Sequence, residues 1–160
     1  MIANEVSGMS IIRPVEVGDV LSVARIEESS FSSPWETEVF LQLAYSKGRI
    51  KTSDGTLVRM RVLVHGGTTI GYVVWEEHGT HAHIMNLAVS EAQRRRGWGT
   101  KLLEDSLRFM RECGIRKVSL EVREDNAAAV GLYESSGMQE SGRVDGYYED
   151  TDAIIYVIRL

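Results

Sequence analysis

The chain has very little cysteine, proline and phenylalanine: one, two and three residues among 160. A lone Cys113 cannot close an intrachain disulfide, which excludes a disulfide-framed fold. No further Cys stands beside it as a ligand, so a cysteine-based zinc site is not expected. No apolar run approaches the ~18 residues of a membrane span, and no membrane partner is expected. Residues 1–10 lack a basic start followed by an apolar stretch. No secretory leader is therefore expected, and the chain is placed in the cytoplasm. An excess of positive charge is also missing. Lys and Arg number 18 against 23 Asp and Glu, a formal charge of -5. Such a chain has no general attraction for nucleic acid, and Arg94, Arg95 and Arg96 form one small patch instead of a basic stripe.

What the sequence does have is apolar content, 43% of its residues. That excludes a disordered chain. The length fits one domain, expected over 9–160, with a flexible segment 1–8 before it. A strand is expected over 9–13, ended by Pro14. A helix follows from Glu16, with Val17, Val20, Leu21 and Ala24 on its buried face. Ser33, Pro34 and Glu36 read as a capping box with a proline in the first turn. The helix they open buries Val39, Phe40 and Leu43. Residues 46–55 read as a polar loop. Runs at 57–65 and 69–76, joined by Gly66-Gly67, read as a hairpin, and 81–89 extends it to a meander. A long helix over 97–113 carries Leu102, Leu103, Leu107, Met110 and Cys113 on its apolar stripe. A strand over 117–122, a helix over 126–136 and strands over 138–144 and 153–160 complete the chain. The order implies an α/β (α+β mixed) fold: a mixed, mostly antiparallel sheet with helices on both faces and one parallel crossover.

The turn Gln93-Arg94-Arg95-Arg96-Gly97-Trp98-Gly99 joins a strand to the long helix. Glycines let the backbone turn tightly, and free helix N–H groups with nearby arginines suit an anion such as a diphosphate. The nucleotide patterns fail. Thr100-Lys101 reverses the P-loop order, and Leu102 stands where a dinucleotide motif needs its third glycine. Read alone, the turn could equally be a glycine turn with solvated arginines.

The stretch Arg94-x-x-Gly97-x-Gly99 resembles the acetyl-CoA diphosphate motif of the GCN5-related N-acetyltransferases. Asn86-Leu87-Ala88-Val89 before it is similar too. So are Phe31-Ser32-Ser33-Pro34-Trp35, Leu120-Glu121-Val122-Arg123, Asp125-Asn126, Leu132-Tyr133-Glu134, Gly137-Met138, Gly146-Tyr147-Tyr148 and Asp152-Ala153. Together they resemble the ribosomal-protein-alanine N-acetyltransferase branch over 11–160. Met138 departs from that branch's usual Phe, and the polar loop 46–59 looks enlarged.

The resemblance implies an acyl-CoA N-acyltransferase fold and acetyl transfer from acetyl-CoA to a protein N-terminal amine, with a ribosomal protein as one such substrate. It places acetyl-CoA on Leu87, Ala88, Val89, Arg94, Arg95, Arg96, Gly97, Trp98, Gly99, Thr100, Asn126 and Tyr133. Glu121 faces away from Leu120 and Val122 on its strand, and the resemblance makes it the base that deprotonates the amine through water. The alternative is a surface glutamate paired with Arg123. Tyr133 is implied as the acid, its phenol protonated at neutral pH. Asn126 reads independently as a helix cap. The resemblance turns the backbone of Leu87 and Val89 toward pantetheine, with an N–H near Leu87 or Ala88 polarising the thioester. Glu28, Phe31, Pro34, Trp35, Tyr147 and Tyr148 are implied at the peptide groove, though Trp35 also suits a core position. His81 and His83 share a strand face. With no third ligand at convincing spacing no metal is expected, and His83 reads as an aid to proton transfer or as a surface histidine. Competing functions are a broader N-terminal acetyltransferase, a small-molecule amine acetyltransferase and a non-catalytic acyl-CoA-binding subunit. The last would need neither Glu121 nor Tyr133.

Overall fold

A computed structural model describes residues 8–160. The expected flexible segment lies, except for Gly8, outside the described residues. The chain runs through β1 (Ser10–Pro14), a 3-10 turn (Val17–Asp19), α1 (Val20–Ser30), α2 (Thr37–Tyr45), β2 (Arg49–Lys51), β3 (Leu57–His65), β4 (Thr68–His78) and β5 (His81–Val89). A second 3-10 turn (Glu91–Gln93), α3 (Trp98–Glu112), β6 (Lys117–Arg123), α4 (Ala127–Ser135), β7 (Gln139–Val144) and β8 (Ala153–Arg159) complete it. The strands form one sheet in the order β1-β3-β4-β5-β6-β8-β7, with β2 paired to β3. All pairs are antiparallel except β5 with β6, which α3 joins as the parallel crossover. The expected mixed sheet with a helical layer on each face is thus the observed one.

Each strand face feeds a separate core. Val73, Trp75, Ala82, Ile84, Val118 and Leu120 pack with Leu102, Leu103 and Met110 of α3 and Tyr133 of α4. On the other face Met60, Val62, Tyr72 and Val74 pack with Val20, Val23 and Ile26 of α1 and Phe40 and Leu43 of α2. At roughly 1.5–3 kcal/mol per buried large apolar side chain, these two layers are the main force flattening the helices onto the sheet.

Four local expectations need correction. Val17 and Leu21 are exposed, not buried. The chain enters α1 through the 3-10 turn, anchored by buried Asp19, whose carboxylate accepts from Arg13, Thr69 and the Glu16 backbone. That turn sets the phase so that Val20, Val23, Ala24, Ile26 and Glu27 face inward. The capping box at Ser33 does not form. Helix α2 begins at Thr37 with no side-chain cap, because the Trp35 backbone N–H is drawn to Glu27 (3.0 Å) and its ring stacks on Phe40 at 5.8 Å. Val39 is correspondingly exposed. Cys113 lies past the end of α3 and is exposed. The polar loop contains β2, held by the register Arg49↔Arg59 to Lys51↔Leu57.

Glu27 is the most unusual residue of the core. Its carboxylate is buried at 1% exposure. It accepts from the Tyr72 hydroxyl, from Asn86 Nδ2 at 2.9 and 3.1 Å, and from the Trp35 N–H. Burial pushes its carboxyl above the usual range, against the opposing pull of Trp35 and Asn86. A raised folded value means that this group's stabilising share is complete below the unfolded carboxylate pKa of about 4.3 and declines as pH rises through the folded value. Glu27→Ala strands three buried donors, so we expect a loss of about 3 kcal/mol or more in urea unfolding. Glu27→Gln, which keeps one acceptor oxygen, should lose less. A midpoint unchanged in Glu27→Ala would refute this.

Candidate active site

The site begins with a failure of strand pairing. Strands β5 and β6 pair only at His81↔Lys117, Ala82↔Val118 and His83↔Ser119. Beyond that point β6 continues on β8 to Arg123, and β5 continues on β4 to Val89. The register passes from Val74↔Asn86 to Trp75↔Ile84, which leaves Met85 as the extra residue of a bulge in β5, and bulges bend and twist the strand that carries them. The two strands therefore part, leaving an unpaired edge on each.

The alternation of an antiparallel ladder fixes which groups face the gap. Ser90 N–H donates to Ile70 C=O at 2.7 Å, so the backbone of Ala88, two residues earlier, also turns to β4. Leu87 and Val89 turn the other way, into the gap. Ala88 is thereby withdrawn from the expected ligand set: its backbone faces Tyr72 and its side chain is in the core under α1 and α2. Leu87 and Val89, not Ala88, thus carry the backbone groups on the gap side.

At one end of the gap lies the glycine turn. Gly97 adopts φ +81°, which only glycine accepts without strain. It is the N-cap of α3 and supplies no side-chain cap. The first backbone bond of the helix is Lys101 N–H to Gly97 C=O at 3.1 Å. The N–H groups of Trp98, Gly99 and Thr100 are left for an external acceptor. The arginines divide the work. Arg94 clamps the turn, donating to Val89 C=O and to Ser30 Oγ, both at 3.1 Å. Arg95 and Arg96 are exposed. The Trp98 ring turns away, 4.7 Å from the His65 ring, so only its N–H belongs to this end. Gly99 opposes Leu132 of α4, where a methyl group would stand 3.4 Å from Cδ2. A cleft of about 570 Å³ lined by Ser22, Arg25, Thr69 and Ser90 adjoins the turn but lies away from Glu121.

At the other end, side chains of three elements meet. Glu121 on β6 points out of the core, with Leu120 and Val122 buried on the opposite side. Its Oε2 lies 2.5 Å from His83 Nε2. Arg123 does not pair with it; Arg123 binds Asp125 and Asp150. Tyr133, on α4, is buried, and burial with a lesser contribution from Tyr148 pushes its phenol up to about 12. Tyr147 and Tyr148, between β7 and β8, lie edge to face at 5.0 Å. Burial raises both phenols, and Glu121 raises them further, with Tyr147 also acting on Tyr148. Arg123 lies 5.1 Å over the Tyr148 ring and partly offsets that rise. Tyr148 thus stands between Glu121 and Tyr133 electrostatically.

Asn126 caps α4, its Oδ1 accepting from Ala129 N–H at 3.1 Å. The residues expected on the far side of the groove are less unified. Glu28, near the end of α1, and Phe31 and Pro34, between α1 and α2, are exposed. Trp35 packs on Phe40 as part of the core. The residue that sequence reasoning missed is Glu27, whose bonds to Trp35 and Asn86 tie that segment to β5 beside Leu87. Among the described residues no group of three or more His, Cys, Asp or Glu is placed to hold a metal ion, and no helix is long and apolar enough to cross a membrane.

A sheet parted between parallel strands, with free helix N–H groups at one end of the opening and Glu121 at the other, is the architecture of an acyltransferase. The chain belongs to the acetyltransferase (GNAT) family, whose model matches residues 20–138. It is 32% identical over 150 residues to a putative [ribosomal protein bS18]-alanine N-acetyltransferase of Bacillus subtilis, covering 90% of this chain and 91% of that one. The crystal structure of the ribosomal-protein-S18-alanine N-acetyltransferase from Escherichia coli superposes with a TM-score of 0.78 at 28% identity, covering 94% of both chains. That of Ard1 from Thermoplasma volcanium superposes with a TM-score of 0.80 at 27% identity, covering 94% of this chain and 97% of that one.

Proposed function

We propose that this chain transfers the acetyl group of acetyl-CoA to the N-terminal α-amine of a protein in the cytoplasm, the N-terminal alanine of a ribosomal protein being the substrate its relatives point to. The observation that carries this reading is the opening between β5 and β6 with Glu121 beside it. The residues present fit acetyl-CoA. The free N–H groups of Trp98, Gly99 and Thr100, with Arg95 and Arg96, suit its diphosphate. The backbone edge at Leu87 and Val89 suits the pantetheine amides. Asn126 adds a side-chain amide at the open end.

Acetyl-CoA supplies the thioester; the chain supplies orientation and proton traffic. The incoming amine must be neutral to attack, and an α-amino group with a pKa of about 7.7–8.0 needs only modest help. Glu121 takes its proton. Nitrogen bonds to the acetyl carbon, the carbon–sulfur bond breaks, Tyr133 gives its hydroxyl proton to the departing sulfur, and the surplus proton on the nitrogen returns through water to the phenolate. Leu87 N–H faces the acetyl oxygen. Tyr147 and Tyr148 wall the amine's entrance, with Phe31, Pro34 and Glu28 across from them.

The test is acetyl-CoA turnover against free-N-terminus peptides starting with Ala, Ser or Met, with N-terminally blocked Lys peptides and polyamines as controls, followed by the folded ribosomal protein. Ala-selective turnover supports the narrow reading, and turnover on several starts the broader one. Turnover confined to polyamines would overturn protein N-termini as substrates.

A further inference from the structure

We propose that His83, Glu76 and His78 form a proton exit behind Glu121, with His83 as the positioning residue that couples the base to solvent. This rests on the reading of Glu121 as the base. His83 Nε2 lies 2.5 Å from Glu121 Oε2, and its Nδ1 lies 3.3 Å from Glu76 Oε1. His78 Nε2 stands 3.4 Å from that same Glu76 oxygen, and its side chain is half exposed. His78 Nδ1 lies 3.3 Å from Thr56 Oγ1, which fixes the ring. The register explains the row. His83 is the last residue of β5 paired to β6, opposite Ser119, and it faces Glu76 across the β4–β5 ladder. Three neighbouring strands therefore present Glu121, His83 and Glu76 side by side where the sheet begins to open.

The reaction requires an exit. An ammonium and a thioester become an amide and a thiol, so each turnover releases one proton that neither product carries. In this relay the neutral ring takes Glu121's newly gained proton at Nε2 and gives its Nδ1 proton to Glu76. Glu76 hands that proton on to His78 and the solvent, which leaves both carboxylates at their starting charge, and exchange of the ring's own protons with solvent returns the starting tautomer. The other titratable groups nearby are His81, with Lys117 beside it, and Tyr147 and Tyr148 next to Glu121. None of them lies between His83 and Glu76.

The experiment compares the parent enzyme with His83→Ala, His83→Gln and Glu76→Gln on an Ala-starting peptide. Steady-state kinetics are run with and without added imidazole, and calorimetry with acetyl-CoA reports a folded site. We expect kcat of His83→Ala to fall about 10- to 100-fold with both KM values within about twofold, and Glu76→Gln to fall less. Imidazole should restore His83→Ala several-fold and leave the parent unchanged. His83→Gln, which keeps hydrogen bonds but carries no proton, should stay as slow as His83→Ala. Overturning results are kcat of His83→Ala within about twofold of the parent, recovery in His83→Gln, or no response to imidazole. A parent inactive on every free N-terminus would overturn the reading of Glu121 and this inference together. An active parent with an indifferent His83→Ala overturns the exit alone.

Discussion

Tyr133→Phe lowers kcat by about 100-fold or more while acetyl-CoA affinity stays near the parent's, because the substitution removes one oxygen from a leaving-group contact and nothing from the packing. The ring remains in the core beside Tyr156, at 6.2 Å between centroids. Its phenol is pushed up to about 12, first by burial and then by Tyr148. It therefore holds its proton throughout the range in which an enzyme works, and an alkaline limb of the pH–rate profile near neutral pH does not come from it. The same shift has a stability consequence. A folded value of about 12 exceeds the unfolded value of about 10, so the stabilising share is complete below about pH 10 and disappears as pH rises through about 12. Tyr133→Phe should unfold with a flatter pH dependence in that alkaline window. Unchanged turnover, measured where chemistry limits the rate, would refute the role of the hydroxyl.

Glu121→Gln has the second large effect, and its size depends on pH. About one unit below the α-amine pKa of about 7.7–8.0 nearly all substrate is ammonium, so the loss should reach about 100-fold there. About one unit above it most substrate is already neutral, and the loss should shrink to about tenfold or less. The glutamine retains the shape of the side chain on β6, so Tyr147 and Tyr148 keep their neighbour but lose its charge. Both phenols should then titrate lower, since Glu121 contributes to raising each. A loss of equal size at every pH would assign Glu121 to positioning.

Much of this architecture was legible where one period dominates. Strands β3, β4 and β5 alternate or run apolar between clear glycine turns, and α3 repeats its leucines at helical spacing until Gly114. Legibility failed where a tertiary bond outbid a local signal. Ser33 and Pro34 carry a good helix start, yet the hydrogen bond from Trp35 to Glu27 delays the helix to Thr37. Arg49–Lys51 is polar and short, and becomes a strand only because β3 offers an edge. The sequence reading places Glu28 at the groove and gives Glu27 no part. The stripe Val20, Val23, Ala24 continues at helical spacing to position 27, so a carboxylate there was destined for the core. At the site, the glycine turn before the long helix and the outward face of Glu121 were readable from order and alternation. The contact between His83 and Glu121 was not, since it depends on the register of two strands separated by α3.

The brief pairing of β5 with β6 also makes the sheet two plates on a hinge. One plate is β1 to β5 and the other β6 to β8, and in the sheet only the three residue pairs from His81↔Lys117 to His83↔Ser119 span the seam. On the proposed reading, backbone groups along the open part of the seam meet water in the free protein and a ligand amide in the loaded one. Coenzyme binding is then the completion of a β-sheet by a molecule that is not protein. Hydrogen exchange at Leu87 should slow on loading, and heat resistance should rise with coenzyme concentration as mass action requires. The cell's supply of coenzyme would then help to decide how long each copy of this enzyme stays folded.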